Sequence, residues 1–388
     1  MKSNSMDKNL NLAAMRPHSD HEAREVMQRM KNDPLFMQLV KYIWPDMTQE
    51  EAFEKADKVN KNMDFQLEFM HQAIRTILER SSAGLSCSGF ENLDPNKAYL
   101  FIANHRDILL DSAILQVLLV EQGFKTTEIS FGDNLMQGGF FNDFGKLNRM
   151  FTVIREGNNR ELYEMSLKLS TYIRNTVVEK NVSVWIAQRN GRTKDGSDFT
   201  QNGLIKMLNL SGGENFTESV KQLNIVPLSI SYEYEPCDDL KVQETYLSSV
   251  HSKYLKAPGE DLNSIISGIK QQKGRIHMHA GMPIEKELIE IEKKKNENEK
   301  IKELAVVIDE QLYTNYHLWP LNYIASDIAN ESDEYRAFYT ETERENFIAY
   351  IKQKTAKLQG DDLAIFNLFI AMYSNPLKSK KMSPKQLS

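Results

Sequence analysis

The residues with the clearest chemical potential lie in Asn104-His105-Arg106-Asp107-Ile108-Leu109-Leu110-Asp111. A histidine there follows an apolar run, residues 99–103, and carboxylates come two and six residues later. An imidazole with a carboxylate in reach is a general base with an orienting acid, able to take a proton from a substrate hydroxyl. Asp107 and Asp111 are both candidates for the acid, and an aspartate at this point can equally cap the helix that follows. Three further polar clusters close apolar runs: Arg155 after residues 150–154, Gln188 to Lys194 after residues 182–187, and Tyr232 to Glu235 after residues 225–232. Arg106, Arg155, Arg189 and Arg192 bring planar guanidinium forks that suit a phosphate, with Gln188 beside them. Each arginine alone is an ordinary surface residue; their recurrence at run ends sets them apart.

Side chains at the ends of apolar runs need strands to carry them. Residues 85–90, 99–103, 127–131, 150–154, 182–187, 225–232 and 275–280 read as strands, with helices such as 111–121 and 160–179 between them. That alternation indicates an α/β layer structure over residues 82–285. In such folds ligands bind in the crevice beyond the carboxyl ends of parallel strands. If the strands share direction, the four clusters converge. Residues 1–81 read as helical, at 21–30, 34–43 and 48–80, with Thr48 and Glu51 spaced as a capping box. Residues 286–388 form a helical extension: a charged stretch across 284–312, helices at 338–358 and 361–373, and a loose basic tail from Pro376.

Other chemistry finds less support. His277-x-His279 puts two imidazoles on one strand face without an evident third ligand, so no metal is expected. Neither GxGxxG nor GxxxxGK[ST] occurs, and GxSxG is missing too, which speaks against nucleotide-loop and serine-hydrolase readings. The chain of 388 residues carries a net charge of −6, so a nucleic-acid partner is not expected. Seven lysines and two aspartates lie between Tyr350 and Ser388, a local +5 that leaves −11 on residues 1–349. A basic end can meet anionic lipid, although it is more often simply solvated. The two cysteines, Cys87 and Cys237, show no metal or disulfide pattern. With no apolar signal core and no run near the ~20 apolar residues of a span, a cytoplasmic chain that can touch a membrane is expected.

The four clusters, in their order, resemble the four sequence blocks of the glycerolipid acyltransferases, the glycerol-3-phosphate and 1-acylglycerol-3-phosphate O-acyltransferases. Asn104 to Ala113 is similar to the His-x4-Asp block, with five residues rather than four between His105 and Asp111. Phe151 to Arg155 resembles the second block, Trp185 to Thr193 the third, and Ile225 to Ile230, around Pro227, the fourth. Gly281-Met282-Pro283-Ile284 matches a later family feature. The third block departs: Ala187-Gln188 stands where the family has Glu-Gly, a glutamate of acceptor binding. The resemblance implies a mixed sheet flanked by helices, an α/β fold, between the helical bundle and the helical extension. It implies acyl transfer from acyl-CoA or acyl-acyl-carrier-protein to a hydroxyl of glycerol 3-phosphate or its 1-acyl derivative, without a cofactor. His105 would be the base, Asp111 its partner with Asp107 in reserve. Arg106, Arg155, Gln188, Arg189 and Arg192 would bind substrate, and the work would be done peripherally on the cytoplasmic membrane face. A different lipid acceptor, or a catalytically silent member that binds lipid or carrier protein, is the alternative.

Overall fold

The computed structural model describes residues 12, 14–135, 138–154, 157–251, 254, 257 and 259–382. Among the described residues seven strands form one sheet: β1 (Gly84–Ser88), β2 (Leu100–Ala103), β3 (Glu128–Gly132), β4 (Met150–Val153), β5 (Val184–Ala187), β6 (Ile225–Tyr232) and β7 (Arg275–Ala280). Their order across the sheet is β1-β7-β6-β2-β5-β3-β4. β2 pairs in parallel with β5 and β6, and β3 in parallel with β4 and β5. Only the β6–β7 pairing is antiparallel, so β7 and its parallel partner β1 run against the other five. The sheet is therefore mixed, and β2 to β6 all end on one edge.

β2 is short and buried at every residue, as a strand covered on both faces must be. Its alternation divides the core. Phe101 and Ala103 join the cluster under helices Gln72–Ser81 and Leu110–Glu121, whereas Leu100 and Ile102 join the one beneath Asn159–Arg174, Asn202–Asn209 and Glu297–Thr314. Two further clusters sit in the N-terminal helices, around Phe36, Phe65 and Phe69, and in the C-terminal helices, around Phe347, Phe369 and Tyr373.

Several expectations are corrected. The helical stretch 48–80 is interrupted: Gln49–Asp57 stops, and a new helix starts at Asn62 and passes through a π-helical stretch, Gln66–His71. The Asp64 carboxylate accepts the backbone N–H groups of Asn60 and Lys61 (2.9 Å each), drawing the chain out of the helical path. The charged stretch after Ile284 is two helices, Glu287–Glu292 and Glu297–Thr314, the second capped by Asn296 accepting from Glu299 N–H (3.0 Å). The C-terminal tail is not loose at its start, since helix Asp362–Met382 runs through Pro376 and buries both Pro376 and Leu377 in the C-terminal core. Proline has no N–H to offer the carbonyl four residues back. That carbonyl belongs to Met372, and Gly196 lies so close that a Cβ there would stand 2.1 Å from its oxygen. Asn375 beside it donates to the Asp195 carbonyl (2.7 Å), fastening the loop that follows β5 to this helix.

Candidate active site

β2 delivers His105 to the carboxyl edge, and Asn104 fixes its approach. The Asn104 amide bonds to Ile230 in both directions, accepting from its N–H (2.8 Å) and donating to its C=O (3.1 Å), which extends the β2–β6 pairing by a side chain. His105 Nδ1 then lies 2.8 Å from Asp111 Oδ2, in the first turn of helix Leu110–Glu121. The same oxygen accepts the N–H groups of Arg106 (2.6 Å) and Asp107 (2.9 Å), and Oδ1 accepts the Tyr232 hydroxyl (2.9 Å). With burial and Asp111 beside it, the Tyr232 phenol is held well above its usual range, so it stays a donor. A carboxylate surrounded by donors takes its place as acceptor from Nδ1–H. Nε2 is then the nitrogen left free to accept a proton.

Asp107, the reserve partner, faces elsewhere. Its Oδ1 accepts from Leu109 N–H (2.9 Å) and Leu110 N–H (2.8 Å), capping the helix start. Its Oδ2 is buried without a hydrogen bond, close against Gly268. Burial, then the Asp111 charge, pushes the Asp107 carboxyl above the usual carboxylate range. The extra residue between His105 and Asp111 is thus taken up in a loop whose own aspartate caps the helix.

His105 opens on a cavity of about 530 Å³. Ile108, Phe131, Leu135 and Trp185 give it apolar surface, with Trp185 edge-on to the imidazole at 5.7 Å. Arg192 and Lys194 bring positive charge. Lys194 is ion-paired with Glu244, but Arg192 is buried and its Nη1 has no hydrogen-bond partner. An unpartnered buried guanidinium nitrogen is costly unless something anionic or carbonyl-like completes it.

The other expected site residues are placed differently. Arg106 does not line this cavity: its guanidinium is buried between Asp198 (2.6 Å) and Glu235 (3.0 Å). A fork engaged by two buried carboxylates and set off the cavity is placed to hold the loop. Gln188 is fully buried behind β5, accepting weakly from Thr200 Oγ1 (3.4 Å), with its Nε2 unpartnered. Arg189 lies over the Phe199 ring at 4.7 Å and reaches the Ser197 carbonyl (3.4 Å). Neither lines the cavity. Arg155 lies outside the described residues. Tyr232 was legible only as part of a polar strand end, without its bond to Asp111. Asp133, Asn134 and Asp261, which also line the cavity, carried no signal in the sequence.

His277 and His279 stand apart from this site. Ser88 Oγ bridges them, 2.9 Å from His277 Nε2 and 2.8 Å from His279 Nδ1, and Ser86 Oγ holds His277 Nδ1 (2.8 Å). Burial, followed by the charges of His317 and His279, pushes His277 down to about 4. Among the described residues no group of three or more histidines, cysteines or acids is arranged to hold a metal ion.

Comparison with known proteins adds two findings. Residues 84–231 match the family model described as Acyltransferase. Among solved structures, the chain is similar to the 1-acyl-sn-glycerophosphate (LPA) acyltransferase PlsC from Thermotoga maritima. The identity is 12%, the match covers 74% of this chain and 91% of that one, and the TM-score is 0.36. No curated protein matches the chain.

Proposed function

Because residues 84–231 form a domain of the acyltransferase family, we propose that this chain moves a fatty acyl group from a thioester to a hydroxyl of glycerol 3-phosphate or 1-acylglycerol 3-phosphate. The thioester is acyl-CoA or acyl-acyl-carrier-protein, and no cofactor takes part. His105 Nε2 removes the proton of the acceptor hydroxyl as its oxygen attacks the thioester carbonyl. The tetrahedral intermediate then collapses, expelling the thiolate, which recovers the proton from the imidazolium. Asp111 keeps Nδ1 protonated and steadies the positive ring. A base so placed is worth ~10²–10⁴ in rate. Arg192 takes the acceptor's phosphate, holding its hydroxyl near His105, and the apolar wall receives acyl chain.

One observation carries this reading: an imidazole oriented by a buried carboxylate opens on a cavity that the Arg192 side chain also lines. A second acceptor class, another hydroxylated lipid, has its own support in Ala187. It lines the cavity in the place of the family's acceptor-binding glutamate and brings neither charge nor hydrogen-bonding group there. We place the enzyme peripherally on the cytoplasmic face of the membrane, where its lipid substrates are. No helix of the described residues is long and apolar enough to cross a membrane.

The test is acyl transfer by purified full-length protein, with acyl-CoA and acyl-acyl-carrier-protein as donors and a panel of hydroxyl acceptors that includes both glycerol phosphates. Activity on either phosphate that disappears in His105→Ala, with the circular dichroism spectrum unchanged, is the expected result. Full activity in that variant would sink the assignment of the base, and transfer only to another acceptor would move the reading to the second class.

A further inference from the structure

Four charges lie buried directly behind the His105 loop and take no part in the acyl-transfer steps. Arg106 pairs with Asp198 and Glu235; Lys241, 1% exposed, bonds Glu235 Oε1 (2.7 Å) and the Arg106 carbonyl (2.6 Å). The Arg106 residue is therefore gripped three ways. Its N–H is on Asp111, its C=O on Lys241, and its side chain on the loops that follow β5 and β6. Behind these charges stand hydroxyls from the C-terminal part of the chain. Tyr316 donates to Asp198 (2.5 Å). Tyr373 accepts from Glu235 N–H (3.0 Å) and donates to Asp238 (2.9 Å), which also receives Tyr350 (2.5 Å) and pairs with Lys354 (3.0 Å).

We propose that Arg106, Lys241, Tyr316 and Tyr373 are positioning residues, through which the C-terminal helices set the geometry of the His105–Asp111 pair. Two cations and two anions balance the network internally, which is the condition under which buried charge is tolerable. Burial in low dielectric also makes its geometry strict, because any displaced member leaves another unpaired. Residue 106 is next to the base and supplies an N–H to its acid, so a shift of the network moves both members of the pair together. The consequence for turnover rests on the acyltransfer reading; the consequence for the imidazole does not.

The full-length chain tests this with Tyr373→Phe and Tyr316→Phe, which delete one oxygen each. The Tyr373 ring stays held, parallel to Phe369 at 5.6 Å and edge-on to Phe347 at 5.0 Å. The primary readout is the downfield proton resonance of His105 Nδ1–H, identified by its loss in His105→Ala; it needs no substrate. In the folded variants this signal broadens or moves, and with 1-oleoylglycerol 3-phosphate and palmitoyl-CoA kcat falls about tenfold while acceptor KM stays within about twofold. A wild-type protein inactive on these substrates counts against the proposed function, and the resonance still decides the positioning. A resonance and kcat that stay wild-type in both variants overturn it. So does an unmoved resonance with activity lost only in proportion to folded protein, which is the behaviour of a merely structural contact.

Discussion

Asp107 and Asp111 are four residues apart and both buried, yet their surroundings give them different work. Asp111 accepts from an imidazole, a phenol and two backbone N–H groups, whereas Asp107 accepts only at the start of a helix. An amide at 111 would present its NH2 or a weaker acceptor to Nδ1 and favour the wrong tautomer. Asp111→Asn is therefore expected to lower kcat by roughly 10²–10⁴. An amide at 107 keeps the capping oxygen, and the other oxygen already lacks a partner and favours the neutral form. Asp107→Asn should turn over within about threefold of wild type. Parallel steady-state assays of the two variants check this, and equal losses would refute the division. The sequence exposed His105 and both acids because a strand end places them close in the chain. It could not reveal Arg106's partners, which come from residues 92 and 129 positions further on.

At the scale of elements, legibility followed how apolar each buried face was. β6 and β7 were read to the residue, since their runs are apolar or strictly alternating. Helix Asp238–Val250 was not foreseen, because the side it buries includes Asp238, Lys241 and Glu244, and polar burial erases the hydrophobic period. Helix Glu260–Lys270 was missed too, although it closes over the site: at Gly268 its backbone comes so near that a Cβ would stand 2.2 Å from Asp107 Oδ2. Alanine raises helix propensity by about 1 kcal/mol over glycine. Gly268→Ala should nevertheless destabilise the protein by about 1–3 kcal/mol, since the added carbon must displace the helix or the buried carboxyl. Urea denaturation measures the difference; a variant more stable than wild type would mean that the helix can shift freely.

The whole molecule carries a pH dependence that runs through one contact between the catalytic domain and the helices beyond it. Asp309, on helix Glu297–Thr314, accepts the N–H (2.8 Å) and hydroxyl (2.6 Å) of Thr200, in the loop after β5. Burial pushes its carboxyl up to about 7 against the pull of those two bonds. An unfolded Asp titrates near 4, so the folded chain holds the proton more tightly between about 4 and 7. The stability this contributes is complete below about pH 4 and is lost as pH rises through 7. His277 has the opposite sign: its contribution is present above about pH 6.5 and is lost as pH falls through about 4. His277 is common to wild type and Asp309→Asn, so it cancels in their difference. Because Asp309 is partly exposed, that difference should shift in favour of Asp309→Asn by only about 2 kcal/mol between pH 5 and pH 8. Denaturation at the two pH values reads it directly, and a constant difference would exclude Asp309 as the titrating group.

Pro376 leaves the Met372 carbonyl without a helical N–H, and the glycine of the β5 loop sits against it. That loop also carries Asp198, the anion beside Arg106. Met372 is translated roughly 170 residues after Asp198, which at ribosomal speeds of about 5–20 residues per second is a delay of about 10–35 s. During that interval a nascent chain has its histidine and aspartate but lacks the helix against which the loop closes. Assembly of this pocket therefore waits on synthesis of the helix Asp362–Met382.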